Sequence, residues 1–387
     1  MALDSAAVAR ERLVTPTFVL IALATLAYFI TVSVVLPVLP LYVRGPLGGG
    51  DVSVGVVVGA FSVTALLIRP WAGRLADRRG RRLPMLIGIG IVTVSLAAYV
   101  AADSVPALIA LRLVTGVGEA LFFTGAASAI ADLAPHDRRG EAISFFSLAL
   151  WTGIAVGPPI GEAVLGDGRY DRVWLVAAAL GLVAWLLTLR VRVAPVRPHH
   201  APSRLIHRSA LLPGTAVLAS IWGAAGFFAF VPLYARELGL SGSGGVFVLF
   251  SSIVVAIRLV GARLPDTLGP MRAARASLVV SAAGLALAGL WRTAPGLFAA
   301  TSVYAVGQAL AFPALMALAL RGTSPGERGA AIGTFTAMVD VGFGIGPAAL
   351  GFVAAGFGYG GVFLIGAAVA ILGFVLLLTR SGGREAA

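Results

Sequence analysis

Residues 73–85 read GRLADRRGRRLPM, a short polar break holding five Arg, one Asp and two Gly between long apolar runs. Gly73 and Gly80 permit a tight reversal with close backbone approach, and Asp77 among the Arg makes a charge cluster suited to a membrane surface. Outward from this break the chain is dominated by apolar residues. Of its 387 residues, 59% are hydrophobic and only 12% charged, where a soluble domain carries about 25% charged residues. Allowing roughly 30 residues for a span and its turn, the length accommodates about twelve membrane crossings and no large soluble domain. Mostly apolar runs of 18 or more, cut at Gly, Pro and Arg clusters, place spans one to six at 16–43, 53–72, 84–102, 106–133, 141–166 and 172–190. Spans seven to twelve fall at 211–235, 243–262, 272–292, 295–320, 329–356 and 359–380. The expectation is therefore an all-α membrane protein with twelve transmembrane helices.

The net charge of +12 comes from 29 Arg with no Lys; Asn is absent too and Gln308 is the only Gln, a bias that a GC-rich gene would produce. Assigning loops to alternate sides puts 21 Arg on the face that holds both termini. Five, Arg44, Arg169, Arg172, Arg236 and Arg292, fall on the other face. This asymmetry predicts cytoplasmic termini. Arg scattered through short loops does not form the clustered basic surface that nucleic acid requires, so no nucleic-acid partner is expected. Without Cys there are no disulfides or thiolate metal sites, and no metal or cofactor is expected. Asp4, Arg10, Glu11 and Arg12 precede a first span too long for a signal-peptide core, which reads as a retained anchor. RVRVAPVRPHHAPSRLIHR (190–208) is the longest polar segment. It reads as a cytoplasmic linker over 190–210, joining a bundle at 1–189 to a second at 211–387. Its His199, His200 and His207 read as solvated linker residues, with metal binding the alternative.

A shift of 189 residues superimposes the two halves. Arg69 meets Arg258, Asp77 meets Asp266, Gly80 meets Gly269, and Pro106 meets Pro295. Gly118-Glu119-Ala120-Leu121 meets Gly307-Gln308-Ala309-Leu310, Gly157-Pro158 meets Gly346-Pro347, and Tyr170 meets Tyr359. A duplicated six-span unit of unchanged orientation implies pseudo-two-fold symmetry about the membrane normal, with a substrate site between the halves at mid-depth.

The 73–85 break resembles the signature of the major facilitator superfamily between spans two and three, G-x-x-x-D-x-x-G-R-[RK], with Gly73, Asp77, Gly80, Arg81 and Arg82 in place. RLPDTLGPMR (263–272) is a degenerate copy after span eight, so the resemblance covers the whole chain. It implies two six-helix bundles that rock about a central site, with a monomer as the default. It also implies a cytoplasmic latch, in which the acid meets the start of span eleven and the second Arg pairs with an acid at the end of span four. Those residues would be Asp77, Arg81 and Asp132, with the basic character demanded by topology as the plainer reading of Arg78 and Arg79. ALWTGIAVGPPIGE (149–162) resembles the span-five signature of the twelve-span drug/proton antiporter branch, with Glu162 where the pattern ends in Gly. Gly153, Gly157 and Gly161 form a smooth ridge for helix approach, and Pro158 introduces a kink. LPVLP (36–40) is similar to that branch's proline-containing motif in span one.

Ionisable groups inside a bilayer are costly and rarely present without function or pairing. Arg112, Glu119 and Asp340 fall inside spans. Arg112 and Glu119 are seven residues apart, on one face of span four and about 10 Å from each other. RLVTGVGEA (112–120) resembles the family's span-four pattern R-x-x-x-G-x-G, whose Arg is associated with proton transfer, with Thr115 replacing the usual Gln. Low dielectric disfavours an ionised carboxyl, the property a proton-loading site needs. Glu119 is thus the expected proton-coupling residue, Asp340 a second candidate, and Arg112 the group that sets proton affinity. The alternatives are a static Glu119–Arg112 ion pair and, for Asp340, a packing hydrogen bond. Phe123, Trp222, Phe227, Tyr304 and Gln308 are candidates to line the substrate cavity.

The resulting expectation is a multi-pass bacterial cytoplasmic-membrane transporter, not an enzyme, exporting small amphipathic compounds in exchange for protons. A sugar, metabolite or lipid carrier of the same fold is one alternative, and a nontransporting membrane sensor or scaffold another.

Overall fold

A computed structural model describes residues 15–134, 139–192, 206–260, 268–324 and 327–379. Most of the expected linker with His199 and His200, the Asp266 part of the second polar loop, and both charged termini lie outside the described residues.

Span one starts at Pro16, where the Thr15 hydroxyl accepts from the Phe18 N–H at 3.2 Å. It runs as Pro16–Val34, breaks at the Leu36-Pro37 step, and resumes as Val38–Arg44. Spans two to seven are Asp51–Arg79, Arg82–Ala98, Val105–Leu133, Arg139–Leu165, Tyr170–Leu189 and Leu211–Glu237. Gly244–Val260, Pro270–Leu290 and Ala294–Leu320 follow as spans eight to ten. A final helical stretch, Arg328–Thr379, breaks at Gly358, whose φ of 71° suits a residue without a Cβ, and so supplies spans eleven and twelve. Ten described stretches are long and apolar enough to cross a membrane, Gly244–Val260 is a shorter apolar helix, and the Gly358 break divides the last stretch in two.

The largest departure from expectation is at span two. An apolar cut ends it at residue 72, whereas the helix continues through GRLADRR to Arg79 and stops at Gly80, with φ 83°. The polar break is therefore two turns of helix followed by a reversal at Gly80-Arg81. Hydropathy registers where a helix leaves the apolar layer, not where its hydrogen-bonded ladder ends.

Spans one to six pack as one bundle and seven to twelve as another, joined by span two against span eleven and span five against span eight. The span two–eleven seam is closed at its Arg-poor end. A Cβ at Gly55 would fall on the Pro347 carbonyl oxygen, one at Gly59 on that of Gly344, and one at Gly351 would lie 2.7 Å from the Asp51 carbonyl oxygen. Eighteen residues is five helical turns, so Gly73 shares the face of Gly55, and Gly333 that of Gly351. Gly73 and Gly333 meet nothing within 4 Å. The seam is shut toward the Arg-poor face and parts toward the Arg-rich face.

Candidate functional site

A cluster of buried charges lies in this seam. Arg69 of span two reaches across to span eleven and donates to both Asp340 oxygens, from Nε to Oδ2 and from Nη2 to Oδ1, the latter at 2.8 Å. The same Nη2 lies 3.7 Å from Oε1 of Glu119 on span four. Glu119 stands midway along its helix, about 21 Å from either end at 1.5 Å per residue. One guanidinium thus joins a carboxylate of each bundle. The guanidinium lies over the Phe123 ring, 5.3 Å from the centroid, so Phe123 of the expected cavity set belongs to this cluster. Glu119 Oε2 is buried without a partner, as is the hydroxyl of Tyr28, whose ring stacks on Phe122 at 4.1 Å. An unsatisfied carboxylate oxygen in an apolar setting is costly, and a bound proton relieves that cost.

Arg112 makes its contacts inside the first bundle. Its Nε donates to the Val57 carbonyl at 3.0 Å and its Nη2 to that of Val58 at 2.9 Å, with the guanidinium 4.6 Å above the Phe61 ring. It staples span four to span two inside the first bundle, and among the described residues the guanidinium beside Glu119 is that of Arg69. Its signal in the sequence was the match with Arg258 in the repeat, obscured because the apolar cut left Arg69 near the end of a span that in fact continues for ten more residues.

Three of the expected cavity residues are buried in the second bundle. Phe227 and Tyr304 are 2% and 1% exposed within the aromatic core of the second bundle, their ring centroids 5.3 Å apart. Gln308 directs its amide N–H groups to Ser220 Oγ at 3.0 Å and Ser281 Oγ at 3.5 Å, tying span ten to spans seven and nine. The amide N–H groups of this Gln are thereby engaged within the second bundle. Trp222 borders a shallow apolar groove of about 380 Å³ between spans seven and twelve, with Leu218, Leu372 and Leu376.

At the Arg-rich end, Arg81 Nε donates to Asp132 Oδ2 at 2.8 Å and Nη1 to Asp77, while Arg82 donates to the Leu189 carbonyl. These contacts all lie within the first bundle. Among the described residues Asp77 is held by Arg81. Gly153, Gly157 and Gly161 meet span one, where added Cβ atoms would strike Phe29, Ser33 and the Val34 carbonyl; Pro158 lies inside the continuous span-five helix.

The departure from pattern at Glu162 has a structural counterpart at the Arg-poor face. Its Oε1 accepts from the Ser243 N–H at 2.6 Å and the Ser243 hydroxyl at 2.8 Å, and its Oε2 from the Gly244 N–H at 2.8 Å. A carboxylate from the first bundle thereby satisfies the opening amides of span eight in the second. Nearby, the Tyr359 hydroxyl donates to Asp51 Oδ1 at 3.0 Å, another tie between bundles.

Paired six-span bundles with a charge cluster bridging them inside the apolar layer define a multi-pass α-helical membrane protein of transporter architecture. The chain belongs to the Major Facilitator Superfamily, whose sequence profile matches residues 21–322 and 266–386. An uncharacterised MFS-type transporter of Salmonella typhimurium is 30% identical over 355 residues, covering 89% of this chain and 91% of the relative. One from Burkholderia mallei is 29% identical over 363 residues, covering 91% and 89%. Among solved structures, the human organic anion transporter MFSD10 (TETRAN) superimposes with a TM-score of 0.73 at 20% identity, covering 94% of this chain and 100% of that one. A bacterial homologue of the human lysosomal transporter Spinster, inward-facing and unoccupied, gives 0.74 at 15% identity and 94% of both chains. The nucleoside transporter NupG gives 0.74 at 16%, covering 94% and 99%. At these identities the structural likeness speaks for the fold.

Proposed function

We propose that this chain is a proton-coupled exporter of small amphipathic compounds, working as a monomer by alternating access in the bacterial cytoplasmic membrane with both termini in the cytoplasm. The observation that carries this reading is the Arg69 bridge between Glu119 of one bundle and Asp340 of the other. With Glu119 protonated, Arg69 is committed to Asp340 and ties the bundles. With Glu119 ionised, the two carboxylates compete for one guanidinium and the tie loosens. Proton occupancy at Glu119 thus biases the rocking of the bundles, which is the coupling that an antiporter needs.

The excess of Arg on one face supports cytoplasmic termini. The Arg-rich face is then the cytoplasmic one, and the parted seam is an inward-facing form held shut outside by Glu162 and Tyr359. Residues 73–82 with Asp132 act as the latch of the alternate, outward-facing form, in which the seam closes and Asp77 reaches span eleven. The span-five pattern supports export, and the neighbour named an organic anion transporter places anions among the compounds to test. Reconstitution in liposomes holding a pH-reporting dye tests the reading: a panel of amphipathic cations, neutrals and anions must include one that moves protons across the wild-type vesicles. Proton flux indifferent to every compound refutes it.

A further inference from the structure

The 189-residue repeat gives the Arg69 cluster a second copy, and that copy lacks its acids. Arg258 stands where Arg69 does, Gln308 replaces Glu119, and the position of Asp340 is taken by Trp151. The geometry is conserved although the charge is not. As Arg69 crosses from span two to Asp340 on span eleven, Arg258 crosses from span eight to span five, where its guanidinium lies over the Trp151 ring, 5.6 Å from the centroid. Its Nη1 donates to the Ser147 hydroxyl, its Nε is buried without a partner, and among the described residues no carboxylate pairs with it. Gln308, the one polar group that the repeat supplies in place of Glu119, is spent on Ser220 and Ser281.

A guanidinium keeps its charge at every physiological pH, so it cannot shed the cost of burial by losing a proton. Arg69 offsets that cost with two carboxylates, and Arg112 with two carbonyls. Arg258 has a hydroxyl, an aromatic face and an unused N–H. Its surroundings provide what an aromatic or alkyl carboxylate would complete: a planar two-pronged donor for the anion, a hydroxyl beside it, and the Trp151–Phe250 ring pair at 5.8 Å for the apolar body. We propose that Arg258, with Ser147 and Trp151, forms the binding site for an amphipathic organic anion, the substrate class of this transporter. This rests on the export reading above and names the class of its cargo. The two buried arginines then have divided roles: Arg69 answers to the proton, and Arg258 to the substrate.

The test uses full-length protein in nanodiscs and three probes of one shape: 2-naphthoate, 2-naphthylmethanol and 2-naphthylmethylammonium. Saturable binding, read as thermal stabilisation and Trp quenching, is expected for the naphthoate and to be at least about ten-fold weaker for the other two. Arg258→Gln should weaken naphthoate binding by at least about ten-fold, and Arg258→Lys, which keeps the charge but not the planar fork, should restore only part of it. If Arg258 serves only to pack span eight on span five, Arg258→Gln lowers the unfolding temperature yet leaves the naphthoate response within about two-fold, and the inference falls. Binding of the ammonium in preference to the naphthoate overturns it too, as does failure of the naphthoate to bind. The coupling reading fails separately: if naphthoate binds through Arg258 but moves no proton in liposomes, the site stands and proton coupling does not.

Discussion

Glu162→Gln tests whether the Arg-poor face is held shut by a single side chain. The wild-type carboxylate accepts three hydrogen bonds from Ser243 and Gly244, two of them from the opening amides of a helix. A Gln of the same size presents one acceptor oxygen and turns N–H groups toward the remaining donors. At least one donor is left unmet, at a cost of about 1–3 kcal/mol, and loss of the charge beside the helix start adds about 0.3–1 kcal/mol. When the face opens, water satisfies these donors in both variants, so the difference falls on the closed state alone. A net loss of about 2–3 kcal/mol shifts the open-to-closed ratio by roughly 30- to 150-fold. The cysteine-free chain is a ready background for measuring it. Spin labels introduced by Asp167→Cys and Ser241→Cys, both exposed near the clamp, report the separation of spans five and eight. Glu162→Gln should add or enlarge a long-distance population, and Glu162→Asp, which retains the charge, should do so less. An unchanged distance distribution in Glu162→Gln would refute the reasoning.

Gly55→Leu places a side chain where the Pro347 carbonyl lies and should hold the Arg-poor end of the seam apart, seen as faster thiol labelling of Cys introduced there. Asp340→Asn removes the cross-bundle partner of Arg69 and should cost about 3–5 kcal/mol of stability, read by thermal unfolding in detergent, since a buried charge loses its counterpart. Arg112→Gln should lower stability by about 1–3 kcal/mol while leaving the pH profile of transport unchanged, because its contacts are carbonyls. At the surface, the Ser324 hydroxyl and N–H hold the Glu327 carboxyl below its usual range. Its contribution is complete above the ordinary carboxylate range and is lost as pH falls through the lowered folded-state value. The difference in hydrogen–deuterium exchange of the 321–324 turn between wild type and Glu327→Gln should therefore vanish on acidification.

Several elements of this structure were legible in sequence because they follow from one-dimensional quantities. Span positions follow hydropathy, the two-bundle plan follows the repeat, and Glu119 and Asp340 are conspicuous as acids in apolar runs. What was not legible depends on where helices end and what lies opposite. Apolar patterning ends span two at residue 72 and leaves Arg69 near a span end, while the hydrogen-bonded ladder runs on to Arg79. Arg112 shares a face with Glu119, yet its long side chain reaches the carbonyls of span two instead, a choice made by interhelical packing. Gln308, Phe227 and Tyr304 sit on spans expected to line a cavity, but helix rotation turns them into the second bundle. Glu162 registered only as a mismatch to a pattern, since its partners at Ser243 and Gly244 are 81 and 82 residues away.

The central claim is that proton occupancy of Glu119 governs the Arg69 tie between bundles. The most direct measurement is substrate-driven proton movement in liposomes containing wild type or Glu119→Gln, with substrate binding recorded in the same preparations. The account predicts that Glu119→Gln still binds substrate but moves no protons with it. Proton movement of undiminished size in Glu119→Gln would contradict it.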